Sequence, residues 1–107
     1  MYDEDIIMNE GLERIIKSLC ADYSRRATII QCKNAPFNVI MEYRFLNYRI
    51  LNAAIEVAGD RDARSFIQDI GDGTGYASTG LWNLSESEYK HRKSLVKKNI
   101  ARRLSLL

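Results

Sequence analysis

The chain reads as an all-α domain, a small bundle of five or six helices around a central helix over 37–58. Three observations lead there. Apolar residues recur at helical spacing in several separate stretches, helix-start and helix-stop residues punctuate those stretches, and no strand-turn-strand signal, internal repeat or low-complexity tract is present. With 107 residues, 46% of them apolar and 28% charged, the chain is one domain, 1–107, able to bury a modest core without metal or disulfide staples.

The first helix is expected from Asp3 to about Cys20, because Leu12, Ile15, Ile16 and Leu19 fall on one face. Asp3, Glu4 and Asp5 stand at its start, where acids favour the positive end of the helix dipole. Gly11 weakens the pattern, so the regular part is expected to begin after it. Asp22 or Ser24 can cap a shorter second helix through Ile29 and Ile30 to about Cys32; the β-branched run leaves a strand open, but no second strand exists to pair with it. After the break at Lys33 to Pro36, with Asn34 as a cap and Pro36 in the first turn, comes the longest pattern, 37–58. Val39, Tyr43, Leu46, Ile50, Ala54 and Val57 make its stripe, Ile40, Leu51, Ile55 and Ala58 widen it, and Phe45 and Tyr48 extend it further. Such a helix is expected to be covered on several sides, leaving Arg44, Arg49 and Glu56 exposed.

Gly59 ends that helix and Asp60 can cap the next, over 61–70, where Ala63, Phe66, Ile67 and Ile70 form one face. The glycines at 71, 73, 75 and 80 then mark a flexible connection with one short helical turn near 76–81, after which Leu81, Trp82 and Leu84 return to the core. A last helix is expected from Glu86 toward Leu104. Ser85 caps it, and Glu88 can close a capping box by reaching back to the Ser85 N–H. On a helical wheel Val96, Ile100, Leu104 and Leu107 fall within about 60° of Tyr89 and define its buried side. Ser87, His91, Ser94, Lys98 and Arg102 lie opposite, flanked by Lys90 and Lys97.

Charge is distributed unevenly. The stretch 84–107 carries +5 while the whole chain carries +2, and a basic terminal helix points to an anionic partner. Other chemistry finds little support. The glycine spacing matches neither dinucleotide nor P-loop patterns, no strand precedes it, and no Lys-Ser or Lys-Thr pair follows. Asp69, Asp72 and Thr74 lack the terminal bidentate acid of a calcium loop. Cys20 and Cys32 fit no zinc pattern and are expected to be reduced, partly buried thiols. His91, the sole histidine, stands among Lys90, Arg92 and Lys93, which disfavour its protonation, and it has no carboxylate nearby in sequence. No enzymatic activity, metal or cofactor is expected. The acidic N-terminus is unlike a signal peptide and no run is long enough to span a bilayer, so a cytoplasmic location without membrane contact is expected.

The run Leu84-Ser85-Glu86-Ser87-Glu88-Tyr89-Lys90-His91-Arg92-Lys93, followed by Asn99-Ile100-Ala101-Arg102-Arg103-Leu104, resembles the recognition-helix half of phage transcriptional regulators of the ArpU type, themselves similar to region four of bacterial sigma factors. Ser85, Tyr89 and Lys90 to Lys93 match that family's cap, anchor and basic run. The resemblance covers about the last 25 residues and implies a C-terminal helix-turn-helix-like unit. A short helix over 76–81 would have to supply its first helix. It also implies DNA-facing positions at Glu86, Ser87, Lys90, His91 and Ser94, with Lys93, Lys97 and Lys98 on phosphate. The expected function is thus a DNA-binding transcriptional regulator of phage or mobile-element type, reading the major groove of double-stranded DNA with helix 86–104. The alternative is a small protein-binding inhibitor, such as an anti-CRISPR protein, that engages a host nucleic-acid-handling enzyme. A homodimer using Ile6, Ile7 and Met8 is a further expectation.

Overall fold

The Asn9 side chain accepts the Leu12 N–H at 2.8 Å, and this cap sets the first helix. The computed structural model describes residues 7–81 and 83–106. Among them α1 spans Glu10–Ala21, α2 Tyr23–Ile30, α3 Phe37–Ala58, α4 Ala63–Asp72 and α5 Glu86–Arg103, with a 3-10 turn at Tyr76–Ser78. No strand occurs among the described residues. The all-helical bundle expected from the periodicity is therefore present.

Because Asn9 satisfies the first-turn donor, α1 starts at Glu10 and includes Gly11 instead of following it. Asp3, Glu4, Asp5 and Ile6 lie outside the described residues. Leu12, Ile16 and Cys20 are buried on α4 and α5, whereas Ile15 is 47% exposed. Met8 packs against the core, while Ile7 is exposed.

The short α2 is held by a polar pair that local patterning does not disclose. Arg26 and Asn47 are both buried; Arg26 Nε donates to Asn47 Oδ1 at 2.6 Å and Nη2 to the Leu19 carbonyl at 2.5 Å. Asn47 Nδ2 donates in turn to the Tyr23 carbonyl at 3.1 Å, so the α1–α2 corner is fastened to α3. Burial lowers the Arg26 pKa from its usual value, but a guanidinium stays charged. Among the described residues no buried side-chain nitrogen or oxygen lacks a hydrogen-bond partner. Neither Asp22 nor Asn34 caps as expected: Asp22 pairs with Arg25, and Pro36 itself occupies the cap position before α3.

Helix α3 is central, packing against α2, α4 and α5. Its buried residues are Asn47, Ile50, Ala53 and Ala54, and the two alanines let neighbouring backbones approach closely. The helix is contacted by three helices, as expected of the domain's centre, but the apolar surface does not extend into the core through Phe45 and Tyr48: Phe37, Phe45 and Tyr48 are 76%, 61% and 66% exposed.

Gly59 closes α3 with φ 83°. The Asp60 cap is absent; α4 starts after Asp62, whose carboxylate pairs with Arg61 at 3.1 Å. Ala63, Phe66, Ile67 and Ile70 are all buried, as their spacing predicts. The helix runs two residues beyond 61–70 because Gly71 lies against the last turn of α1 and Gly73, in the left-handed region, provides the stop. The following segment is anchored, contrary to a flexible connection. Asp69 Oδ1 accepts the Gly75 N–H at 2.6 Å, the Tyr76 hydroxyl donates to the Leu84 carbonyl, and Leu81 and Leu84 are buried. Trp82 and Leu107 lie outside the described residues. Among those described, no helix is long and apolar enough to cross a membrane.

Candidate nucleic-acid interface

Helix α5 begins as its sequence dictates: Ser85 Oγ accepts the Glu88 N–H at 3.1 Å. The return half of the capping box differs from expectation. The Ser85 hydroxyl donates to Glu88 Oε1 at 3.2 Å, so the carboxylate holds the capping hydroxyl and does not reach the Ser85 N–H. Glu86 and Glu88 in the first turn and Arg102 and Arg103 in the last both suit the helix dipole. Ser85→Ala is expected to lower stability by about 1 kcal/mol. Amide exchange should show the loss concentrated at Glu86 to Tyr89; uniform loss along the helix would mean the cap is incidental.

The buried side of α5 is broader than the stripe predicted. Tyr89, Val96 and Ile100 are buried as expected, Leu104 is half-buried, and Leu95, Asn99 and Ala101 join them. Asn99 donates to the Ala53 carbonyl at 2.9 Å and to Glu56 at 3.3 Å, joining α5 to α3. Arg103 forms an ion pair with Glu56 and holds that carboxyl below its usual value. The Tyr89 ring stacks on Phe66 at 4.7 Å between centroids, and its hydroxyl donates to Asp69.

Asp69 organises the inner margin of α5. It is 1% exposed and receives the Tyr89 hydroxyl, the Gly75 N–H and, at 2.9 Å, the Lys93 ammonium. Burial alone would raise its pKa; the hydrogen bonds from Tyr89, Lys93 and Gly75 outweigh that and lower it. Tyr89 is shifted upward by its burial and by the Asp69 carboxylate. Cys20 is buried and its thiol pKa is pushed up to about 12 by that burial, so it is inert. Cys32 is free and exposed, where a partly buried thiol was expected.

The structure divides the predicted interface residues into two groups. Glu86, Ser87, Lys90 and His91 are exposed, and Ser94 and Lys98 are half-buried on the same outer side. Lys93 and Lys97 belong elsewhere. Lys93 is bound to Asp69, and Lys97 Nζ lies 3.1 Å from Glu13 on α1, so both face neighbouring helices. Withdrawing Lys93 would leave a buried carboxylate uncompensated, which makes it a poor phosphate ligand. Lys90 pairs with Glu86 at 3.2 Å, but both side chains are largely exposed and such a pair is worth only tenths of a kcal/mol. Arg92, Arg102 and Arg103 are the cations that the resemblance did not assign to DNA. Arg102, exposed, donates to Asn99 Oδ1 at 2.7 Å, and Arg92 is half-buried near the exposed N-terminal half.

The unit preceding α5 departs from a helix-turn-helix. Residues 73–85 separate α4 from α5, far more than the tight turn of that motif, and the only helical piece described between them is the 3-10 turn at Tyr76–Ser78. The reason is local. Gly75 is anchored to Asp69, and Gly75 and Gly80, both at positive φ, bound a segment too short to propagate a helix. Among the described residues no group of His, Cys, Asp and Glu is arranged to hold a metal. Compared with family models, curated proteins and solved structures, the chain matches none of them.

Proposed function

We propose that this protein is a non-enzymatic DNA-binding regulator that presents the N-terminal half of α5 to the major groove of double-stranded DNA. The carrying observation is that Ser87, Lys90 and His91 stand exposed on one side of a capped helix whose opposite side is buried against three other helices. A rigid helix with hydrogen-bonding groups about one turn apart, near its N-terminus, has the form needed to reach base edges. Lys90, Lys98 and Arg102 supply phosphate contacts, and the anchored 73–85 segment sets the helix's approach without a tight turn.

With Lys93 and Lys97 turned to Asp69 and Glu13, the outer side of α5 offers about three phosphate contacts. Raising salt from about 50 to 200 mM should therefore weaken binding roughly fortyfold. Lys90→Ala/His91→Ala/Lys98→Ala should abolish mobility shift of duplex DNA with an unchanged melting curve. Retention of duplex by that triple variant, or no shift of any duplex at micromolar protein in low salt, rejects the proposal.

A second reading rests on the ion pairs themselves. With Lys90, Lys93, Lys97 and Arg103 all paired inside the chain, the outer side of α5 is less basic than its composition indicates. A protein target, such as a nucleic-acid-handling enzyme inhibited by occupation of its surface, suits that side as well. A stoichiometric protein complex that survives nuclease treatment and is lost in the same triple variant identifies this case.

A further inference from the structure

Helix α3 carries apolar residues on two sides, the stripe through Ile50 that the fold covers and a second row that it leaves open. Along the open side Phe37, Met41, Phe45, Tyr48 and Asn52 follow one another at three- and four-residue steps, the spacing of a helix seam. Exposed aromatics this large, aligned on one rigid element, mark an interaction surface. We infer that this surface pairs with α3 of a second copy, antiparallel, about a two-fold axis passing beside Phe45.

Charge specifies the register. Glu42 and Arg49 are exposed on the same margin of the seam, two turns apart, and neither makes an ion pair among the described residues. Arg49 also lines, with Phe45, Tyr48, Asn52 and Arg103, a groove of about 320 Å³ beside α5. In an antiparallel pair one helix's Glu42 meets the other's Arg49 when the axis falls between positions 45 and 46, and symmetry produces the contact twice. Glu42 of the second copy then enters the groove beside Arg103. In this same register the second copy's Asn52, Tyr48 and Met41 come level with positions 39, 43 and 50, each between two of this copy's seam residues and about 3 Å from both along the axis. The two Phe45 side chains come nearly level and meet beside the two-fold axis.

Other occupants fit less well. A parallel pair carries the Glu42 and Arg49 margins of the two helices to opposite sides of the seam, so that Glu42 and Arg49 do not meet. A phosphate chain laid along the seam meets Glu42 and Glu56 on its margin. Arg44, on the opposite margin, is exposed and keeps its head in water while its stem covers the seam. The pairing involves α3 alone and holds whatever α5 binds.

Sedimentation equilibrium on the whole protein tests this. The wild type should show a monomer–dimer equilibrium. Glu42→Arg and Arg49→Glu, each at an exposed site, should each weaken it at least about tenfold through like-charge contact. Mixing the two variants should restore a dimer containing one chain of each, since both cross-pairs are then of opposite charge. A protein that stays monomeric at hundreds of micromolar overturns the inference. So does a dimer whose dissociation constant ignores both charge reversals, and so does a mixture that fails to regain dimer while each variant melts like the wild type.

Discussion

Gly71→Ala is expected to destabilise the protein by about 3 kcal/mol or more, although helix propensity alone favours alanine by about 1 kcal/mol in a helix interior. Gly71 is buried within α4, and a Cβ there would lie 2.6 Å from the Ala21 nitrogen, 2.7 Å from its Cα and 2.8 Å from the Cys20 carbonyl carbon. All three are backbone atoms, so no side-chain rotation relieves the clash. Normal carbon contact needs about 3.5–4.0 Å, so α1 and α4 would have to part by about 1 Å. That opens gaps around Ile16, Cys20, Ile67 and Ile70, all of which are buried. For a domain of this size each kcal/mol lowers the melting temperature by about 4–8 °C. Calorimetry should therefore find a drop of roughly 12 °C or more; an unchanged or raised melting temperature would show that the two helices do not meet at Gly71.

Asp69→Ala is expected to remove about 3–4 kcal/mol, because it strands a partly buried ammonium and a buried phenol hydroxyl together. Lys93 and Tyr89 lose their shared acceptor, and the Gly75 N–H loses its anchor to α4. The same carboxylate makes stability depend on acid. Its folded pKa lies below its unfolded value of about 3.9, so the unfolded chain binds the proton more readily. Its contribution is thus fully present above that unfolded value and is lost as pH falls through the lower folded one. Urea unfolding at pH 7 should show the full loss in the variant. Between about pH 5 and pH 2 the wild type should lose stability more steeply than the variant. Parallel slopes would mean that Asp69 is not held in its charged form by these donors.

These two residues show where local sequence is informative and where it fails. Gly71 belongs to a glycine cluster and reads as the start of a loop. Helical geometry at that position is favoured by the close approach of α1, a contact between residues far apart in the chain. Asp69 has the polarity of a loop-flanking acid, and its donors come from α5 and from the glycine segment. Nothing in its neighbours along the chain reports that pairing. Lys93 and Lys97 carry the same lesson into the candidate interface. Both were legible as basic residues on a basic helix, but docking of α5 against α4 and α1 turned them toward Asp69 and Glu13. Ser87 and His91 kept their predicted exposure because they lie opposite Tyr89, Val96 and Ile100, and Lys90 on the flank is exposed beside them.

By itself the sequence determined the helical class, the approximate span of each described helix, the Ser85 cap, the Gly59 stop and the wholly buried face of α4. These follow from interactions among residues within a few positions of one another, where period and cap chemistry act directly. The stripe through Ile50 and Ala54 already marked the side of α3 that is buried, and tertiary structure decided that Phe37, Phe45 and Tyr48 stay outside it. It likewise decided the Arg26–Asn47 pair, the close contact at Gly71 and the turning of Lys93 and Lys97 toward Asp69 and Glu13. Each depends on groups distant in sequence meeting at hydrogen-bond or van der Waals range, and only the docking of whole helices brings them there.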